Sequence, residues 1–267
     1  MLKRFLMVKR SLQSMVISDA WESYNDDNLG LAMHVRRKNL CNQWWESVSY
    51  IIDFTEPIYA MLCLVDTDKP CLHLIYEMWN TMIENVKKVI YRHEGKEDDE
   101  ESSFYSVVHN ILVERWLKGN NPLHCLAHSL NPRYYSEKWL SEGTGRVPPH
   151  EDLEVSQMRM KCFKKFFPVL DDLKRVKEDY AKFSTCSAEF NDFDSIYDRG
   201  ILEPVNWWVN HGQSVPILQK LALRLCNQPA SSSCCERNWS TYGFIHSMRR
   251  NKLTPERAQD LSLFITI

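Results

Sequence analysis

The stretch EPVNWWVNHGQSVPILQKLALRLCNQPASSSCCERNWSTYGFIHSMRRNKLTPERAQDL, residues 203–261, spells out a series of helices together with their stops. Pro216 suits a first helical turn, where its missing N–H has no partner to lose, and Leu218, Leu221, Ala222 and Leu225 then share one face. The run PASSS, 229–233, ends that helix. Ser233 followed by Glu236 fits a capping box, in which hydroxyl and carboxylate each satisfy a backbone N–H at the next helix start. Thr254, Pro255 and Glu256 supply a third start: cap, first-turn proline and first-turn acid.

Upstream, the same steps of three and four recur. Leu72, Ile75, Tyr76, Trp79, Ile83, Val86 and Ile90 predict a long helix over 71–94 opened by Pro70. Phe104, Val107, Val108, Ile111 and Leu112 predict another, as do Leu123, Leu126, Ala127 and Leu130, and then Leu173, Val176, Tyr180 and Phe183. No segment alternates with period two, so the reading is roughly nine helices and no strand. Five consecutive carboxylates, Glu97 to Glu101, repel one another and predict a solvated linker over 95–103. Residues 141–150, with two glycines and a Pro-Pro pair, and residues 190–204 read as further breaks. The expected organisation is a helical region 1–94, an acidic linker 95–103, a helical region 104–200 and a C-terminal region 201–267.

Composition narrows the function. Lys plus Arg is 33 against 35 Asp plus Glu, so the chain is no polycation and any nucleic-acid contact needs a local patch. Only 8 glycines and no Gly-rich phosphate motif argue against the nucleotide-binding folds. Nine cysteines, an odd number, predict reduced thiols. No apolar run approaches the length of a membrane span, and Lys3, Arg4, Lys9 and Arg10 interrupt the first stretch, so the residues alone predict a cytoplasmic chain with no membrane partner.

Residues 231–261 together with Pro204-Val205-Asn206-Trp207-Trp208 closely resemble the C-terminal signature of hAT-type cut-and-paste DNA transposases, the plant members especially. The resemblance rests on the Cys-Glu-Arg-Asn-Trp-Ser core at 235–240, Ile245-His246, the Arg-Arg-Asn-Lys-Leu run at 249–253 and the upstream Trp pair. MVISDAW (15–21), DTDKPCLHLIYEMW (66–79) and HSLNPRYY (128–135) look like the helical portion of the same proteins. What this implies is a mainly α chain: a helical insertion-like region, then the C-terminal helical part of an incomplete ribonuclease-H-like core, truncated upstream. A complete member would hold a divalent metal such as Mg²⁺ between three acids for strand transfer. Glu236 matches the third acid and no residues match the first two, so an enzyme is not expected and no cofactor is implied for this chain.

The residues themselves leave Glu236 two readings, helix cap or metal ligand. Asp66, Asp68, Asp192 and Asp194 are candidate replacement acids, although close Asp pairs in loops ordinarily serve turns and caps. His124 and His128 share a helix face and could hold zinc, but Cys125 points off it and no C-x-x-C completes four ligands. Arg237, Arg249, Arg250 and Lys252 are candidate phosphate contacts, or else a solvated face, with Trp239 and Tyr242 nearby. The Trp44-Trp45 and Trp207-Trp208 pairs read as packing. The expected activity is protein dimerisation with a second copy or a related transposase chain, through Leu218, Leu221, Leu225, Ala258, Leu261 and Phe264. The alternatives are a DNA-binding subunit of weak, salt-sensitive affinity, or a residual transposase or nuclease using Glu236. Nuclear location follows from the resemblance, and no small-molecule substrate is expected.

Overall fold

Apolar side chains at helical spacing become helices throughout the computed structural model, which describes residues 1–23, 29–119, 122–143, 145–233, 236, 239 and 240. The helices are α1 (Leu2–Met7), α2 (Lys9–Val16), α3 (Asp19–Glu22), α4 (Leu29–Leu40), α5 (Asn42–Val65), α6 (Ile75–Glu94) and α7 (Ser103–Gly119). They continue as α8 (Pro122–Ser129), α9 (Glu137–Ser141), α10 (Leu153–Phe166), α11 (Leu170–Ser184), α12 (Phe193–Asp198), α13 (Pro204–His211) and α14 (Pro216–Cys226). Short 3₁₀ turns occupy Leu72–Leu74, Pro132–Tyr135 and Ala188–Phe190, and no strand occurs among the described residues. The fold is mainly α.

Contacts divide the chain into two compact units, Met1–Met61 with Thr81–Glu114, and Leu62–Asn80 with Arg115–Ile267. This differs from the division expected at the acidic linker. Residues 95–103 lie inside the first unit and form an ordered turn, because backbone bonds and caps replace the missing apolar contacts. Gly95, in the left-handed region at φ +66°, lets Lys96 N donate to the Tyr91 carbonyl and close α6. Tyr91 Oη donates to the Glu100 carbonyl at 2.8 Å, Lys87 pairs with Asp98, and Ser102 Oγ accepts from Tyr105 N to start α7.

In the first unit, Trp45 is buried with its indole N–H donating to the Asn39 carbonyl at 2.7 Å, and Phe5 stacks on it at 5.3 Å. Val16, Val48, Met82, Val86, Ile90 and Leu112 are buried as well. The stripe expected to bury α7 faces outward instead: Phe104, Val107 and Ile111 are exposed, and Leu112 is the buried residue. A second expectation fails at α5. It contains an 18-residue window long and apolar enough, by length and composition, to cross a membrane, of which 6% is buried. Scattered Ser, Thr, Asp and Glu and the interior Pro57 hid it from a search for an unbroken apolar run.

The second unit forms around aromatic rings. Trp207 and Trp208 are fully buried, and each indole N–H finds a carbonyl, Ser195 at 2.9 Å and Leu130 at 2.7 Å. The packing reading of this pair holds, since a buried tryptophan needs one acceptor for its single donor. Gly212 ends α13 where a Cβ would lie 2.6 Å from the Trp208 carbonyl oxygen, so only glycine lets the chain turn there. Residues 190–204, expected to be a break, instead supply core: Phe190 and Arg199 are fully buried. The Arg199 guanidinium lies over the rings of Phe183, Trp207 and Tyr135 at 4.7, 5.1 and 5.5 Å.

A directed hydrogen-bond chain crosses this core. Tyr135 Oη donates to the Ser129 carbonyl at 2.7 Å, so at its 2.7 Å contact with Tyr180 it must accept, and Tyr180 Oη in turn accepts from Arg159 Nη1 at 2.9 Å. Tyr135→Phe leaves the Ser129 carbonyl and the Tyr180 hydroxyl without these partners. It is expected to lower stability by about 1–3 kcal/mol in urea unfolding with the m-value unchanged.

Candidate functional site

Two features of the second unit are candidates for function: an apolar groove beside α14 and a buried histidine pair. The groove has a volume of about 900 Å³. Its walls come from α8 (Leu123, His124), the α10–α11 corner (Phe166, Phe167, Asp172), α14 (Ile217, Lys220, Leu221, Arg224) and residues 228–230, with Leu72 and Leu225 also lining it. Pro216 starts α14 as expected, and the inward side of the helix packs on α13, α11, α8 and the 3₁₀ turn at Leu72–Leu74.

This placement corrects the expected interface. Leu218 is fully buried in the chain's own core with Ala222, and Leu225 is buried there too, with only an edge reaching the groove. Leu221 and Ile217, on the flank of the helix, are half-buried and line the groove. Lys220 and Arg224 stand exposed one turn apart on α14, while Phe166, Val169 and Leu170 are exposed at the α10–α11 corner. An apolar floor with a mainly basic helix edge is a surface suited to an amphipathic helix bearing acidic residues.

His128 is buried between the rings of Tyr134 and Tyr76, at 4.0 and 4.8 Å, and His73 is buried as well. Burial lowers the His73 pKa to about 4, partly countered by a hydrogen bond with the Cys226 backbone, and lowers that of His128 to about 3, with His73 adding to the shift. Burial also lowers His124, whose ring lies 6.3 Å from Trp116. No group of three His, Cys, Asp or Glu that could hold a metal occurs among the described residues.

Glu236 is exposed and accepts from Ser232 Oγ at 3.1 Å, while its N–H donates to the Ser232 carbonyl. The hydroxyl that meets the Glu236 carboxylate is thus that of Ser232 and not of the expected Ser233, whose N–H donates to Ser231 Oγ at 3.2 Å. Asp192 caps α12 through Ser195 N at 2.9 Å. Asp66, Asp68 and Asp194 join no metal-type cluster among the described residues. Ala258, Leu261, Phe264, Arg237, Arg249, Arg250, Lys252 and Tyr242 lie outside the described residues, and Trp239 is exposed.

The sequence reading missed Arg199, because a basic residue in an acidic, Gly-containing segment carries no periodic signal. The groove was missed too, since its walls come from segments far apart in the chain. The aromatic spacing of Tyr180, Phe183 and the Trp pair was the available hint of the core.

Fold and groove together describe a mainly α chain with an open apolar surface beside α14. Residues 178–264, about a third of the chain, match the hAT family C-terminal dimerisation region, which takes in α12 to α14 and the helical side of the groove. The chain is also 21% identical over 242 residues to tpeD, a candidate transcriptional regulator of Talaromyces stipitatus, covering 85% of this chain and 27% of that protein. It thus spans about a quarter of that relative's length.

The buried histidines set a pH dependence. Both have folded pKa values below the unfolded value near 6.5, so the unfolded state takes up protons first as pH falls and stability is lost from about pH 6.5 toward pH 4. His128→Gln is expected to flatten the slope of unfolding free energy against pH in that window, measured by urea titration at pH 7, 6 and 5.

Proposed function

We propose that this chain is an hAT-transposase-derived interaction protein, acting by dimerisation through residues 178–264 and without strand transfer. The observation that carries the reading is that the matched dimerisation region borders an open apolar groove, with Ile217 and Leu221 on its wall and Lys220 and Arg224 at its edge. The partner is a second copy of the chain or a related transposase chain. A plant-type origin, a ribonuclease-H-like framework and a nuclear location accompany this reading through the motif at 231–261. The reading without strand transfer is supported by the sequence motif, in which Glu236 alone matches one of the family's three acids. On this reading the chain needs no cofactor and binds no small-molecule substrate.

A DNA-associated role is the second reading, favoured by the name of the Talaromyces relative and by Arg237, Arg249, Arg250 and Lys252. Binding through those side chains would be weak and would fall steeply with salt.

The test is light scattering over a tenfold concentration range. A dimer is expected for the native chain, and Leu221→Asp, which places a carboxylate on the groove wall, is expected to shift it toward monomer. A native chain that remains monomeric throughout contradicts dimerisation. In parallel, DNA binding that persists unchanged between 50 and 200 mM salt contradicts the phosphate-contact reading.

A further inference from the structure

The groove side of α14 carries two adjacent rows of side chains. Lys220 and Arg224, one turn apart, form a basic row, and Ile217 and Leu221 form an apolar row next to it. Both bases are exposed, and neither forms an ion pair among the described residues. The carboxylate that lines the groove is Asp172, on the α10–α11 wall. Such a face fits an occupant with the matching pattern: two apolar residues one turn apart, bordered by two acids at the same spacing.

The chain itself contains that pattern. Residues 254–265, TPERAQDLSLFI, lie outside the described residues, and their sequence opens with the helix start at Thr254-Pro255-Glu256. At helical spacing Glu256 and Asp260 share one row, and Leu261 and Ile265 share the next, the same order of rows as on α14. Two helix faces with rows in the same order bring apolar row to apolar row only when they run antiparallel; a parallel approach reverses the order and sets each apolar row against charge. The chain leaves α14 along the groove, since Gln228, Pro229 and Ala230 line it, and residues 231–253 can then extend over at most roughly 80 Å, enough to enter a neighbouring copy. The matched region 178–264 contains both α14 and nearly all of the acidic segment. Each copy therefore carries a donor and an acceptor, and two copies that exchange segments fill both grooves about one two-fold axis.

We infer that residues 254–265 of a second copy occupy the groove, each copy laying its segment antiparallel to the other's α14. Asp260 then meets Lys220, Glu256 meets Arg224, Leu261 and Ile265 cover Ile217 and Leu221, and Asp172 is left to Arg257. This inference rests on the dimerisation reading and adds to it the segment that is exchanged.

The experiment uses two full-length variants with charges reversed on opposite halves of the contact, Lys220→Glu with Arg224→Glu, and Glu256→Lys with Asp260→Lys. Alone, each sets like charges together in both grooves and is expected to raise the dimer dissociation constant by roughly tenfold or more in light scattering. Mixed in equal amounts, the two restore opposite charge in both grooves, and native mass spectrometry is expected to show the heterodimer in excess over either homodimer. Variants that each dimerise like the native chain overturn the exchange and leave dimerisation standing through another surface. Variants that are monomeric both alone and mixed overturn it too, as does a native chain that is monomeric at every concentration, which removes the dimerisation reading with it. Should either variant lose helical content, carbodiimide cross-linking of mixed ¹⁴N- and ¹⁵N-labelled native chains decides. A Lys220–Asp260 link between light and heavy copies supports the exchange, and a link that is absent or confined to one copy overturns it.

Discussion

A guanidinium held away from water, with no carboxylate pairing it among the described residues, fixes the arrangement of the second unit. Removing such a charge from solvent costs several kcal/mol, and what offsets it here is the three ring faces of Phe183, Trp207 and Tyr135 and one backbone carbonyl. Each contact fixes another element. Phe183 belongs to α11, Trp207 to α13, and Tyr135 to the turn after α8, so α11, α13 and that turn must keep their relative positions for the charge to stay covered. Burial lowers the Arg199 pKa, which shows the direction in which the solvation cost acts.

From that centre the groove follows. Trp208, beside Trp207 on α13, is bonded through its indole to Leu130 and through its carbonyl to Gln219 of α14, so the position of α14 is tied to the same ring cluster. With Leu218, Ala222 and Leu225 turned inward, the flank bearing Ile217 and Leu221 has nowhere to face but the space between α8 and the α10–α11 corner. The 3₁₀ turn at Leu72–Leu74 is tethered to the far end, where Cys71 N and Leu72 N both donate to the Gln228 carbonyl at 3.1 Å. The surface available to a partner is therefore a by-product of how one arginine is buried.

Helices were legible wherever apolar spacing was regular, as in α6, α8, α11 and α14, because burying one face of a helix imposes that period. The Trp pair was legible as core for a similar reason. Periodicity failed at residues 190–204, where short helices are held by single residues, Phe190, Ser195 and Arg199, rather than by a stripe. The acidic segment was legible as a solvated connection, Glu97 to Glu101 being exposed, but composition does not reveal the bonds to Tyr91 and Ser102 that order it. The stripe on α14 was seen as apolar, and the structure divides it, with Leu221 on the groove wall and Leu218 and Leu225 in the core. One sequence cannot say whether an apolar face is covered by its own chain or by another, and here Leu218 and Leu225 are covered by their own.

The central claim is that a second copy covers the groove flank of α14. Hydrogen–deuterium exchange of the full chain at two concentrations, one below and one above its dimerisation midpoint, tests this most directly. The account predicts that protection increases with concentration for peptides spanning 163–173 and 216–230, while peptides of α1 and α2 exchange identically at both. Unchanged exchange at 216–230 under conditions where the solution mass doubles would contradict it, placing the interface elsewhere on the chain.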